Sequence, residues 1–291
     1  MEFTLTNEYL TVVSKDKGAE LCSIKSKETK LEYLWQADPR FWNRHAPILF
    51  PIVGKLKGDK TLIEGKEYNM TQHGFARDMT FHVVESSSNT ITYRLFNNDE
   101  TKIKYPYDFV LYIGYMLKDN AVEVSYRVEN IDSKDILFSI GAHPGFNCPL
   151  EEGQKFEDYY LEFDKEELIE SYRLRNGAVT DEKELLFDEK MKELKLSKKL
   201  FEGDAIMLEN MVSSEVSVKN KNTGKGVALN YKGFPYLGIW SKPEGAPFVC
   251  IEPWYGIADF ESSKGVYEEK KGIMKLEPGE GFTCSYTIKV F

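Results

Sequence analysis

An all-β fold of large antiparallel sheets packed as a sandwich is what this sequence predicts, and three observations carry the expectation. Short runs of alternating apolar and polar residues recur from one end of the chain to the other. Turn signals built from Gly, Asn, Asp and Pro separate them. No Gly/Ser/Pro-rich linker, low-complexity tract or solenoid-length repeat divides the 291 residues. Because β-sandwiches often reach this size as one unit, the expectation is a single domain over residues 1–291.

Taken in order, Phe3–Thr6, Leu10–Val13 and Ala19–Ile24 read as successive strands, broken at Asn7, at Lys15-Asp-Lys-Gly18 and after Lys25. Trp35–Trp42, with Pro39 near a first turn, reads as a short helix. Ala46-Pro-Ile-Leu-Phe-Pro-Ile-Val-Gly54 is apolar but carries two prolines, so it reads as a buried, loop-like wall rather than a central strand. Phe109–Leu117 and Ala121–Val128 form the clearest strand pair, joined across Lys118-Asp-Asn120, where Asp and Asn tolerate left-handed backbone. In the second of these strands Val122, Val124, Tyr126 and Val128 alternate with Glu123, Ser125 and Arg127, so one face is buried and the other wet. Between Glu182 and Leu200, leucines among Lys and Glu have loosely helical spacing and predict a short surface helix. A last strand, Phe282–Val290, follows the turn Glu277-Pro-Gly-Glu280.

The formal charge of −9 argues against nucleic acid or an anionic membrane as a partner. The N-terminus has no basic region followed by an apolar stretch, and no apolar run reaches membrane-spanning length, which points to the cytoplasm. Cys22, Cys148, Cys250 and Cys284 form no C-x-x-C pair and sit in or beside apolar runs, so they read as reduced and structural.

None of His45, His73, His82 and His143 lies three or four residues from another, so no metal-ligand spacing appears, and the nucleotide-binding and hydrolase signatures are absent. Three segments do combine polar groups with turn residues. Gly141-Ala-His-Pro-Gly-Phe-Asn-Cys-Pro149 holds an imidazole on a stiffened turn after a strand, which suits a group that titrates near neutrality. Thr71-Gln-His-Gly-Phe-Ala-Arg-Asp78 places Arg77 four residues beyond His73. Pro247–Gly256 is an apolar strand with one acid, Glu252, before Pro253 and Trp254; desolvation raises the pKa of such a carboxylate and makes it a candidate base. Each has a structural alternative: His73 bonding a loop carbonyl, Arg77 and Asp78 as a solvated pair, Glu252 capping a strand. Trp35, Trp42, Trp240 and Trp254 read as core, although an indole beside a polar cleft suits the apolar face of a sugar.

Leu49-Phe-Pro-Ile-Val-Gly-Lys55, His73-Gly-Phe-Ala-Arg77, Tyr105-Pro-Tyr-Asp-Phe109, Gly141-Ala-His-Pro-Gly145, Gly203-Asp-Ala205 and Val249-Cys-Ile-Glu-Pro253 occur in that order over nearly the whole chain. Together they resemble the aldose 1-epimerase (galactose mutarotase-like) superfamily, in its LacX-like branch. The His-Gly-Phe-Ala-Arg block is also similar to the hexose-6-phosphate mutarotase branch. The resemblance implies a galactose mutarotase-like β-supersandwich and an isomerase that interconverts the α and β anomers of a hexose without a cofactor or metal. Carried over by motif, His143 is the general acid and Glu252 the general base, facing each other across one open cleft. His73 and Asp204 bind sugar hydroxyls. An Asn-Arg pair expected after Val53-Gly54 is replaced by Lys55-Leu-Lys-Gly58, so the basic contact falls to Arg44, Lys55 or Arg77. Two alternatives follow. A sugar-phosphate mutarotase needs at least two of Arg44, Lys55, Lys57 and Arg77 to converge, and a carbohydrate-binding or regulatory protein keeps the cleft without turnover. The implied partner is a small sugar or sugar phosphate, with monomer and homodimer both open.

Overall fold

The computed structural model describes residues 1–175 and 177–291. Alternating sequence becomes antiparallel sheet throughout, and two large sheets dominate. In the nine-stranded sheet the order is Met191–Lys195, Tyr159–Glu167, Glu215–Asn220, Gly226–Asn230, Gly281–Val290, Ala121–Asn130, Phe109–Lys118, Thr90–Phe96 and His82–Ser86. In the eight-stranded sheet it is Ala178–Leu185, Glu170–Arg175, Ile206–Glu209, Tyr236–Trp240, Phe248–Tyr255, Ile140–Ala142 and Ile48–Leu49, with Gly145–Asn147 also paired to Phe248–Tyr255. A three-stranded sheet of Glu2–Thr6, Leu10–Lys15 and Leu21–Ser26, the hairpin Lys60–Ile63 with Lys66–Asn69, and the pair Ile136–Phe138 with Met274–Leu276 complete the architecture.

The strand pair read from the alternation forms in register, with Val122 opposite Leu117 and Val124 opposite Tyr115. Asp119 takes the left-handed conformation in its turn, at φ 51°. Val122, Val124, Tyr126 and Val128 join one core with Ile239, Val249 and Ile251, which belong to the eight-stranded sheet. Along Phe248–Tyr255 both faces are buried, because alternate residues join this core while Cys250 and Trp254 enter two smaller clusters on the opposite face. A cavity lined by Glu252 and Trp254 opens on that second face. All four cysteines are unpaired and buried.

Two helical expectations are overturned. Glu182–Leu200 contributes the end of the strand Ala178–Leu185, the strand Met191–Lys195 and a 3-10 turn at Lys198–Phe201. The two strands lie at the edges of the two large sheets, where Lys and Glu are favoured because they discourage pairing with another chain. Helix-like composition therefore yields to tertiary pairing. Trp35–Trp42 forms no helix either. The Asp38 carboxylate accepts the Arg40 N–H at 3.0 Å, the Asp38 carbonyl accepts from Phe41 and Trp42, and Trp35 donates to the Gly145 carbonyl. The α-helix among the described residues is Asp99–Lys104, started by a reciprocal Asn98–Thr101 capping box. At six residues it is too short to leave a periodic signature. No helix among the described residues is long and apolar enough to cross a membrane.

Candidate active site

His143 and Glu252 are brought together by strand register. Gly141 lies opposite Trp254 and Gly145 opposite Cys250, so the unbroken antiparallel register places His143 opposite Glu252. Pro144 and Pro253 lack N–H groups and interrupt the ladder at this point. The two side chains project from the same face as cross-strand neighbours. Nε2 of His143 stands 3.2 Å from Oε2 of Glu252. This corrects the picture of two groups on opposite sides of a cleft: they touch, and the cavity lies over both. On the other side of Glu252 its cross-strand partner is Gly238, which has no side chain and leaves room for the Trp254 indole.

His73 enters from a separate loop and is fastened to Gly54 twice. Its N–H donates to the Gly54 carbonyl at 2.8 Å, and the Gly54 N–H donates to Nδ1 at 3.1 Å. His73 and Gly74 both have left-handed backbone, at φ 68° and 71°. A Cβ on Gly74 would stand 2.3 Å from the Phe50 carbonyl oxygen, so the close approach of these two loops requires glycine there. Since Nδ1 accepts a hydrogen bond, a neutral His73 carries its hydrogen on Nε2 and offers a donor. Its ring meets that of His143 edge-on at 5.5 Å.

A cavity of about 310 Å³ is lined by His143, Glu252, His73, Arg77, Asp204 and Lys55. Arg77 donates to the Gln72 carbonyl at 2.6 Å, while its buried Nε makes no hydrogen bond and lies 3.9 Å from the Asp78 carboxylate. Asp204, at φ 75°, precedes the strand Ile206–Glu209 and accepts the Ala205 N–H through Oδ1 at 2.8 Å. Lys55 is held at the rim by Asp259, whose N–H donates to the Lys55 carbonyl and whose carboxylate accepts the Lys57 N–H. Asp259 is itself paired with Lys270 at 2.8 Å, and both side chains are buried.

Arg44 is not among the lining residues: its guanidinium donates to the Asp78 carboxylate at 2.8 Å, and that nearby anion draws it away. Lys57 does not line the cavity either, since its ammonium donates to the carbonyls of Glu261 and Ser263. Trp35 and Trp254 are buried in core clusters as expected, whereas Trp42 and Trp240 are only partly buried, and Trp42, Trp240 and Trp254 all line the cavity. Trp42 stacks on His143 with centroids 4.8 Å apart, and Trp240 meets the same ring edge-on. Gln72 and Met207 are further lining residues that motif reading passed over. Gln72 sits inside the Thr71–Asp78 segment, but nothing local announces Met207, which reaches the site through its pairing with Gly238.

Burial sets the electrostatics. Desolvation pushes the Glu252 carboxyl well above the usual carboxylate range, and Asp204 adds repulsion in the same direction. Desolvation pulls His143 below the ordinary imidazole range, and the nearby guanidinium groups of Arg77 and Arg44 oppose a further positive charge. His73 is lowered for the same first reason, with His143, Arg77 and Arg44 acting alike. Arg77 falls to about 10, chiefly through burial, and stays cationic at neutrality. Neither Glu252 Oε2 nor His143 Nδ1 makes a hydrogen bond. Thus the site presents a buried acid/base pair with unspent hydrogen-bonding capacity, a fixed imidazole donor, a carboxylate, two cations and aromatic walls. That combination suits proton transfer on a small polyhydroxylated molecule.

Comparison with known proteins agrees with this chemistry. A family model described as aldose 1-epimerase matches residues 1–265. The chain is 38% identical to the protein LacX (plasmid) of Lactococcus lactis subsp. lactis, with 100% of this chain and 99% of that protein covered. A galactose mutarotase related enzyme from Lactobacillus acidophilus is similar in structure, with a TM-score of 0.93, 35% identity, and 100% and 97% of the two chains covered. A galactose mutarotase-like protein from Lactobacillus casei gives a TM-score of 0.94 at 32% identity and covers 100% of each chain. The fold is thus the galactose mutarotase-like β-supersandwich, and the chain belongs to the aldose 1-epimerase family.

Proposed function

We propose that residues 1–291 act as one aldose 1-epimerase-like domain that interconverts the α and β anomers of a hexose by general acid/base ring opening and reclosure. The observation that carries this is the His143–Glu252 contact of 3.2 Å in the floor of a sugar-sized cavity. The two oxygens that exchange protons in anomerisation, the C1 hydroxyl and the ring oxygen, are bonded to the same carbon. Adjacent catalytic groups suit them better than groups on opposite sides would.

Glu252 as carboxylate takes the proton of the C1 hydroxyl while His143 as imidazolium delivers one to the ring oxygen. The C1–O5 bond breaks, the aldehyde forms, and rotation about C1–C2 presents its other face. Reclosure returns both protons. Ring opening therefore converts an ionic pair into a neutral pair, with no net exchange of protons with solvent. Burial favours the neutral form of the pair. Hydrogen bonds from sugar hydroxyls and the Arg77 cation favour the carboxylate, so the two forms approach one another in energy. His73, through Nε2–H, and Asp204 hold other hydroxyls, and an indole face covers the sugar's apolar side. Each positioned acid or base supplies about 10²–10⁴-fold.

A second reading, a hexose 6-phosphate as substrate, is favoured by one observation: Lys55 and Arg77 both line the cavity. Polarimetry or NMR exchange on freshly dissolved α-glucose, α-galactose and their 6-phosphates tests both. Acceleration of the free sugars supports the first reading, and selective acceleration of the phosphates supports the second. Binding without acceleration of any of the four would move the chain to the non-catalytic carbohydrate-binding class.

A further inference from the structure

Cys250 lies two residues before Glu252 on the same strand, so both side chains project from the same face. Its cross-strand partner is Gly145, which places no side chain between the thiol and the His143 ring. The imidazole, the thiol and the carboxylate each offer one donor atom, and the three atoms lie within 4.8 Å of one another. Independently, the Glu252 side chain is 2% exposed, lines the cavity, and leaves Oε2 without a hydrogen bond. That oxygen faces His143 Nε2 at 3.2 Å and keeps its hydrogen-bonding capacity unspent.

Nitrogen, sulfur and carboxylate oxygen are the donor set of a borderline divalent cation. The ligand-to-ligand edges of a tetrahedral zinc site are about 3.3–3.7 Å from ordinary bond lengths. The His143–Glu252 edge, at 3.2 Å, already has that size. The thiol has to close by at most roughly 1.5 Å to complete it. A second group, Glu20, Cys22 and His45, has similar spacing. There the carboxylate is already taken by the Lys15 ammonium at 2.5 Å and by the N–H groups of His45 and Ala46.

We propose that His143, Cys250 and Glu252 form a binding site for one borderline divalent cation such as zinc, with its fourth position open to the cavity. Binding releases two protons to solvent, one from the thiol and one that the His143–Glu252 pair holds, and thiolate and carboxylate together neutralise the dication. The metal keeps its oxidation state. Occupancy removes the His143 lone pair and the Glu252 carboxylate from proton transfer, so the bound cation inhibits anomerisation; this consequence rests on the function proposed above.

Cobalt(II) titration of the purified full-length chain tests the site without reference to turnover. The expected result is one equivalent bound, with a thiolate-to-cobalt charge-transfer band and the visible bands of tetrahedral cobalt, displaced by zinc. Both are lost in Cys250→Ser and in Cys250→Ala and kept in Cys22→Ser. In the anomerisation assay, zinc inhibits the wild type and a chelator restores it. Cys250→Ser, with unchanged basal activity, needs at least about tenfold more zinc for half-inhibition. No charge-transfer band in the wild type, a band that survives both Cys250 substitutions, or one abolished by Cys22→Ser overturns the proposal, as does equal zinc sensitivity of Cys250→Ser. A chain that binds cobalt through Cys250 yet accelerates no sugar would uphold the metal site and remove the anomerisation reading.

Discussion

Replacing Glu252 with Gln removes the proposed base while keeping its shape, and the structure predicts opposite effects on activity and stability. The loss in kcat is at least about a hundredfold, within the 10²–10⁴ range of a positioned acid/base group. Stability moves the other way. Glu252 is buried, its Oε2 has no hydrogen bond, and desolvation raises its pKa well above the usual carboxylate range. A carboxyl whose pKa is raised on folding favours the native state below the unfolded pKa, and that contribution is lost as pH rises toward the folded pKa. In that window the wild type loses about 1.4 kcal/mol per pH unit that Gln does not lose. The variant should therefore match the wild type near pH 4 and exceed it increasingly above that pH. Paired urea titrations at several pH values, alongside NMR exchange on the best substrate, read both effects. Activity within tenfold of wild type would refute the role of Glu252 as base. A variant that is less stable at pH 7 would refute the account of a carboxyl whose charge is penalised by burial.

His143→Asn should lower kcat by at least about a hundredfold with the fold intact by circular dichroism, and loss of folding would mark the residue as structural. In the wild type, burial and the neighbouring Arg77 and Arg44 place the acid limb of the kcat/KM profile below the ordinary imidazole range; a limb at or above pH 7 would contradict that environment. Arg77→Gln should raise KM about tenfold or more with a smaller change in kcat, and more for a 6-phosphate than for the free sugar; an unchanged KM would count against the contact. Lys270→Met strands the buried Asp259 carboxylate, which also accepts the Lys57 N–H, and should destabilise the chain by about 3–5 kcal/mol in urea unfolding. A loss under about 1 kcal/mol would mean that the pair is not load-carrying.

Much of the fold was legible because the information is local. Alternation along Ala121–Val128 and Phe282–Val290 specifies strand and buried face together, and Pro at positions 144 and 253 marks where a ladder is interrupted. Motif resemblance supplied His143, Glu252, His73, Arg77, Asp204 and Lys55, which line the cavity, and Arg44, which does not. What local pattern lacks is the partner. Lys and Glu among leucines at 182–200 match a surface helix as well as an edge strand, and only pairing with Glu170–Arg175 and Tyr159–Glu167 decides between them. Arg44 and Arg77 look equally available in sequence, yet Asp78 hydrogen-bonds Arg44 at 2.8 Å and contacts Arg77 only at 3.9 Å, leaving Arg77 beside the cavity. Trp42 reads as core until a single turn at Asp38 stacks it on His143. The sequence by itself determined the chemical inventory: an imidazole before one proline, a carboxylate before another, and strands to carry them. Tertiary structure alone decided that these two groups touch, because strand register acts between segments distant in the chain and leaves no trace in either one.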